Sequence, residues 1–210
     1  MTSATGYARR SRGRPKVFDR DAALDKAMAL FWQHGYEATS MAHLVEATGA
    51  KAPTLYAEFT NKEGLFRAAL DHYIARFIET NEALLFATDK SLEQALGDYF
   101  GAIARFFTSK ETPNGCFIIS TSSALAASSE DIAHTIKARH ARQAQTITRF
   151  LQQRQQQGEI PLQCNIHHLS DYLCCVLQGM SVSAREGINL TSLMRVVETT
   201  LRILPELIKN

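Results

Sequence analysis

Several features that would indicate other protein classes are scarce in this sequence. No apolar run approaches the roughly 18 residues that a membrane-spanning helix requires, so no membrane partner is expected. Four cysteines in 210 residues, with no C-x-x-C pair, favour reduced thiols in the cytoplasm over a disulfide scaffold. Alternating β-branched runs are few, hairpin signals are absent, and neither paired carboxylates nor a phosphate-binding loop occurs. We therefore expect an all-α protein that is not an enzyme.

Positive charge is concentrated at the amino terminus. Residues 1–20 hold six basic residues against one acidic residue, a net +5, so the rest of this +2 chain sums to −3. The same stretch lacks an apolar core, so no secretory signal is expected. A basic arm on a slightly acidic body indicates a polyanion partner that is touched at one end only.

The arm contains the segment SRGRPK, residues 11–16, which is similar to an AT-hook. Its proline stiffens the backbone and its glycine permits close approach, so Arg12, Arg14 and Lys16 are expected to enter a narrow A·T minor groove. The alternative is a solvated tail that only speeds association with DNA.

Beyond Asp19 the apolar residues recur with the helical period of 3.6. Predicted boundaries come from N-cap residues and from glycines after the last periodic position. The predicted helices are 20–34, 41–48, a short one opened by Pro53, a long one capped by Thr60 with Glu63, one capped by Ser91, an apolar segment 116–127, and 132–157, 166–185 and 191–208.

Few residues join the second and third helices around Gly49. This is the layout of a helix-turn-helix, whose second helix enters the DNA major groove. A helix whose first turns alone reach base edges can be short, which explains the length of the third helix. Two short helices around a glycine are weak evidence alone, but the adjacent basic arm favours DNA binding.

Residues 30–66 read LFWQHGYEATSMAHLVEATGAKAPTLYAEFTNKEGLF, which resembles the amino-terminal domain of the TetR family of bacterial repressors. The resemblance implies a three-helix DNA-binding domain with a helix-turn-helix and a larger C-terminal helical bundle, about nine helices in all. It also implies a homodimer on palindromic double-stranded DNA. The residues expected to contact DNA on this basis are Ser40, Lys51, Ala52, Pro53, Thr54, Tyr56 and Lys62.

Some positions depart from the family's usual residues, notably Lys51, Pro53 and Glu58. Because a carboxylate repels phosphate, Glu58 is expected to point away from DNA or to accept from a cytosine amino group. A simpler alternative makes Tyr56 a core tyrosine and Lys62 a solvated charge.

We divide the chain into a disordered basic arm over 1–18, a helix-turn-helix domain over 19–65, and an effector-binding and dimerisation domain over 66–210. Two-fold DNA sites require a two-fold protein, and the last two helices carry broad apolar faces. The resemblance implies that they form a four-helix interface between two chains. The expected interface residues are Leu173, Leu177, Val197 and Leu201.

The C-terminal body is rich in aromatic and other apolar residues. Such residues more often form a hydrophobic core than the lining of a ligand cavity. The resemblance nevertheless implies a small-molecule cavity there. An effector that binds in it is expected to relieve repression. The candidate lining residues are Phe100, Phe107, Cys116 and Phe117.

Thiols and imidazoles raise the alternative of a metal effector. Cys164, His167 and His168 have i, i+3, i+4 spacing at a helix start, and with Cys116 they form a candidate Cu(I) or zinc site. Against this, cysteine is a common small core residue. The stretches SRGRPKVFDRDAALDKAM and SAREG resemble a copper-responsive member of the same family, so copper is the leading effector hypothesis. No cofactor is required.

One rival function stays open at this point. An architectural binder would use the arm to read DNA shape and the body only to dimerise. Such a protein would have no discrete palindromic footprint and no effector.

Overall fold

The computed structural model describes residues 18–122 and 130–209, and every regular element within them is helical. Because α4, a π-helical turn and α5 follow one another without a break, these residues contain nine helical segments, as the sequence predicted. Within the same ranges, no helix combines the length and apolar character needed to cross a membrane. The elements are α1 (Arg20–Ala38), α2 (Met41–Thr48), α3 (Ala52–Phe59), α4 (Lys62–Tyr73), the π turn (Ile74–Ile78), α5 (Glu79–Glu82), α6 (Leu92–Phe107), α7 (Phe117–Ser122), α8 (Glu130–Gln156), α9 (Ile166–Arg185) and α10 (Leu190–Leu207).

The start of α4 differs from the prediction. The expected cap, Thr60, instead ends α3 with a left-handed φ of 69°. Asn61 is the N-cap, and its side-chain oxygen accepts from the Gly64 N–H at 2.8 Å. Gly64 is required because a Cβ there would lie 2.0 Å from the carbonyl oxygen of Phe59. Gly64 therefore allows the first turn of α4 to pass close to the end of α3.

The first four helices form a compact head on a larger helical body. In the head α1 packs mainly on α4, and α2 and α3 cover the remaining side. Trp32 of α1 joins the head to the body, because its ring lies 5.2 Å from that of Tyr73 and 5.9 Å from that of Phe117. The predicted boundary at 65/66 falls inside α4, so head and body share a continuous helix as well as an aromatic contact.

The apolar faces of α9 and α10 are used mostly inside the chain. Leu173, Leu177 and Val197 are 0%, 1% and 2% exposed, and Leu201 is half-buried. Because Leu173, Leu177 and Val197 fill the body's own core, little of their side chains is left for a second chain, and their role as dimer contacts stays a prediction. The large apolar residues that α9 and α10 leave exposed are Val182, Leu190, Val196 and Ile203.

Candidate functional site

The turn between α2 and α3 has the geometry of a helix-turn-helix. Gly49 ends α2 in the left-handed conformation, with φ 69° and ψ 8°. Leu44 on α2 and Leu55 on α3 are fully buried, so the two short helices are held through their inner faces. Lys51 precedes α3 without a side-chain cap bond. Pro53 has no N–H and the Thr54 N–H donates to the Lys51 carbonyl oxygen at 2.9 Å, so the start of α3 needs little further capping.

The outer side of α3 is open to solvent. Tyr56 is 48% exposed, so its alternative as a core tyrosine is wrong. Lys51 and Pro53 are exposed, and Ala52 and Thr54 are half-buried. We call these five residues the α3 face. It brings a cation, a hydroxyl and a phenol to the first turns of an eight-residue helix, with buried Leu55 between Thr54 and Tyr56.

Ser40 and His43 form the cap of α2. The Ser40 hydroxyl oxygen accepts from the His43 N–H at 3.1 Å, and the Ser40 N–H donates to His43 Nδ1 at 3.3 Å. The Ser40 O–H proton stays available for an outside acceptor. Because Nδ1 accepts, neutral His43 carries its proton on Nε2 and offers a second donor. His43 was not among the predicted site residues, although it stands where a capping box usually has glutamate.

Lys62 has a partner inside the head. Its ammonium donates to the Tyr36 carbonyl oxygen at 3.1 Å and lies 4.1 Å from the centroid of the Tyr36 ring. The alternative of a freely solvated charge is therefore wrong. An ammonium has three donors, so two remain for a phosphate.

Glu58 is neutralised by Arg20, a residue that the sequence analysis counted only as part of the arm's charge. Arg20 Nε donates to Glu58 Oε1 at 2.7 Å, and the guanidinium also lies 5.4 Å from the centroid of the Phe59 ring. The one acidic side chain of α3 is thus paired on the side toward α1. The arm residues Arg12, Arg14 and Lys16 lie outside the described residues.

The four candidate effector residues lie in the body core. Phe100, Phe107, Cys116 and Phe117 are each at most 5% exposed. The Tyr73 hydroxyl donates to Cys116 Sγ at 3.3 Å, and burial raises the pKa of both groups. A cavity of about 20 Å³ lies beside the π turn, between Ile74 and Ile118, and none of these four candidate residues lines it.

The four predicted metal ligands are not brought together. Cys116 lies in the body core, where its backbone N–H donates to Ser181 Oγ at 2.8 Å. Cys164 is buried just before α9, and burial raises the pKa of its thiol, whereas His167 and His168 are exposed on the first turn of α9. Across residues 18–122 and 130–209, no group of three or more histidine, cysteine or acidic side chains is arranged to hold a metal ion. A preformed site at these residues is therefore not supported.

Comparison with known proteins identifies related sequences. Residues 23–69 match the bacterial regulatory proteins of the tetR family, and residues 92–198 match a tetracyclin repressor-like C-terminal domain. The chain is 64% identical over 208 residues to the HTH-type transcriptional repressor ComR of Escherichia coli strain K12, covering 99% of each chain. It is 30% identical over 179 residues to the HTH-type transcriptional repressor BdcR of the same strain, covering 83% of each.

Solved structures give the same result. A cysteine mutant of the TetR family regulator CifR, complexed with 26-bp double-strand operator DNA, has a TM-score of 0.84 and 33% sequence identity. The comparison covers 90% of this chain and 98% of that one. The reduced form of Escherichia coli NemR matches with a TM-score of 0.74 at 16% identity, which supports the fold alone.

Proposed function

The chain belongs to the TetR family of bacterial regulatory proteins, and we propose that it is a homodimeric repressor that binds a palindromic operator until an effector releases it. The observation that carries this proposal is the exposed α3 face. A helix that hides Leu55 and Phe59 and leaves Tyr56 half-exposed is positioned to read DNA with its outer side.

The head offers donors on both sides of α3. Ser40 and His43 at the start of α2 each provide a proton to one phosphate strand, and Lys62 provides two from the start of α4. Between these anchors, Thr54 and Tyr56 would meet base edges in the major groove. Arg12, Arg14 and Lys16 of the arm would enter the neighbouring minor groove.

The second copy would pack on α9 and α10. Val196 and Ile203 are seven residues apart on α10, so they lie on one face, and both remain exposed in the single chain. Two such chains would set their α3 helices about 34 Å apart, one turn of DNA. We expect Val196→Asp to produce a folded monomer in light-scattering chromatography. Val197→Asp, its buried neighbour, should instead unfold the chain. A dimeric Val196→Asp variant would refute this interface.

The effector would act through α4, which spans the head and the body. Lys62 begins this helix and Tyr73, whose hydroxyl binds Cys116 Sγ, ends it. An effector that binds the Cys116 sulfur would compete with the Tyr73 hydroxyl for it, which would link the effector site to the end of α4. A coupling of about 1–3 kcal/mol is typical and changes operator occupancy by tens of fold.

Copper is the effector that we propose. Cu(I) prefers thiolate ligands and can be held by two of them, so the site needs a second thiol near Cys116. Cys174, half-buried on α9, is the candidate that we choose, because Cys175 beside it is exposed and Cys164 lies outside the helix, before α9 begins. Metal binding would release the thiol protons. This pair replaces the predicted set that included Cys164.

The test measures binding to DNA from the protein's own promoter region against a scrambled duplex of equal length. We expect a two-fold protected footprint, tighter binding to the promoter, and release by Cu(I). Equal affinity for both duplexes and no discrete footprint would favour the architectural alternative and refute the repressor.

Cysteine variants then test the copper site alone. Cys116→Ser and Cys174→Ser should bind DNA but resist release by Cu(I). Cys175→Ser is the matched control, because its side chain is exposed one position from Cys174. If the control loses its copper response equally, or if Cu(I) releases neither wild type nor control, the copper proposal is wrong while the DNA-binding proposal stands.

A further inference from the structure

The last turn of α9 reaches α1, so a helix of the body is joined directly to the head. The Arg185 guanidinium donates to the Trp32 carbonyl oxygen at 3.2 Å, a contact between residues 153 apart in the sequence. Trp32 is 1% exposed, so the group that Arg185 binds belongs to the packed interior of the head–body junction. α9 is also one of the two helices of the proposed dimer surface.

The part of α1 that Arg185 meets suits a cation. Gly35 has φ 82° and ψ 167°, outside the helical region, so the regular part of α1 ends there, three residues after Trp32. Carbonyl groups in the last turn of a helix lie at the negative end of its dipole. A guanidinium therefore binds there more strongly than an uncharged donor would.

The base of the Arg185 side chain is held by the loop before α7. Gly115 in this loop has a left-handed φ of 80°, and a Cβ there would lie 3.0 Å from Arg185 Cγ and 2.6 Å from the Ser181 carbonyl oxygen. One turn earlier on α9, the Ser181 hydroxyl accepts from the Cys116 backbone N–H at 2.8 Å. The end of α9 is thus packed closely on the body, and Arg185 extends from a fixed position.

Other contacts of α1 have a different direction or a different character. Asp25 binds His72 and Arg76, which joins α1 to α4 and to the π turn that continues it, not to α9. The stacked rings of Trp32 and Phe117 lie 5.9 Å apart and make an apolar contact. A hydrogen bond weakens steeply with distance and angle, so the bond from Arg185 defines the position of α1 relative to α9 more narrowly than ring stacking does.

We propose that Arg185 is a positioning residue that fixes the angle between each head and α9, and thereby the half-site spacing that the dimer accepts. This inference rests on the proposed dimeric repressor. One base pair inserted between the half-sites moves them apart by about 3.4 Å and rotates them by about 35°.

Such a change in spacing breaks the contact. If the two heads share the movement equally, each shifts by about 1.7 Å, which extends a 3.2 Å hydrogen bond to roughly 5 Å. The loss of this bond in both protomers is then part of the cost of binding a wrongly spaced operator.

The test compares the affinity of the full-length protein for the operator defined by its footprint with its affinity for the same duplex carrying one central base pair more or less. Arg185→Met keeps the apolar stem and removes the donor. We expect the ratio of the two affinities to fall by roughly tenfold, because one hydrogen bond in each protomer no longer has to break. Arg185→Ala, a good helix former at this exposed position, should give the same change.

Two controls separate spacing from other effects. Lys137→Met removes an exposed positive charge from α8 and should keep the wild-type ratio. A duplex with a single half-site has no spacing to satisfy, so wild type and all variants should bind it alike.

A merely structural role of Arg185 would lower the affinity for every spacing in the same proportion. An unchanged ratio in both Arg185 variants would therefore overturn the proposal, and so would an equal fall in Lys137→Met. If wild type itself shows no two-fold footprint, the proposed repressor function fails before any variant is compared, so the two failures are distinguishable.

Discussion

Replacing Lys62 with methionine separates two roles that this side chain combines. Its ammonium donates to the Tyr36 carbonyl oxygen at 3.1 Å and faces the Tyr36 ring, with 4.1 Å between Nζ and the ring centroid. Methionine keeps the apolar stem and removes both interactions together with the charge. The variant should therefore lose part of the head's stability as well as affinity for DNA.

Three contributions set the change in stability. A hydrogen bond from a charged group is worth about 1.5–3 kcal/mol when buried, and we reduce this to about 1 kcal/mol because Lys62 is half-exposed. The cation–π contact adds about 0.5–1 kcal/mol. A positive charge in the first turn of α4 opposes the helix dipole, so its removal returns about 0.3–1 kcal/mol. The net loss is about 1 kcal/mol, which lowers Tm by roughly 2–4 °C.

Thermal unfolding and DNA binding at several salt concentrations measure the two roles separately. The slope of log affinity against log salt should fall by about one charge if Lys62 also contacts phosphate. Lys51→Met is the control for charge: its side chain makes no cap bond, so stability should stay within about 0.5 kcal/mol. An unchanged Tm in Lys62→Met would refute the structural contact. A lower Tm with an unchanged salt slope would refute the phosphate contact.

Three further outcomes test the head. Glu58→Gln removes the carboxylate that now pairs with Arg20, so DNA affinity should rise and the slope of log affinity against log salt should steepen by about one. Weaker binding would instead indicate that Glu58 contacts a base. Tyr56→Ala should lower operator affinity roughly tenfold and change stability by less than about 1 kcal/mol, and unchanged affinity in anisotropy titrations would remove it from the interface. Burial alone would raise the pKa of Asp25, but hydrogen bonds from His72 and Arg76 outweigh it and lower the pKa below its ordinary 3.8. The folded state thus favours charged Asp25, so this stabilisation is complete above about pH 4 and is lost as pH falls further. Asp25→Asn should flatten the acid limb of urea unfolding below about pH 4, and an unchanged limb would refute the linkage.

Local sequence signals predicted the helices well because those signals act locally. Ser40 caps α2 and Gly49 ends it in the left-handed conformation, each within four residues of the element that it bounds. Thr60 shows where this reasoning stops. Thr60 and Asn61 are adjacent and both good N-cap residues, and in the structure Thr60 ends α3 while Asn61 caps α4.

The candidate site shows the same difference between what the sequence predicts and what depends on contacts in the folded chain. The family resemblance carried by residues 30–66 predicted the residues of the α3 face. It could not identify the partners that modify those positions. Arg20 on Glu58 joins residues 38 apart, and Lys62 on Tyr36 joins residues 26 apart. Such contacts depend on how α1 crosses α3 and α4, which no local pattern encodes.

The proposed dimer surface shows the same limit within a single helix. α10 carries more apolar surface than its own body can cover, so periodicity alone indicates an apolar face without saying which part meets a partner. Val196 and Val197 are adjacent in sequence and point about 100° apart, and the structure leaves one 39% exposed and the other 2% exposed. The side of α10 that carries Val197 is covered by the chain's own helices, and α10 packs against α6 and α9. What remains for a second chain is the row through Val196 and Ile203, so the best candidates for an interface are the apolar residues that the core has not used.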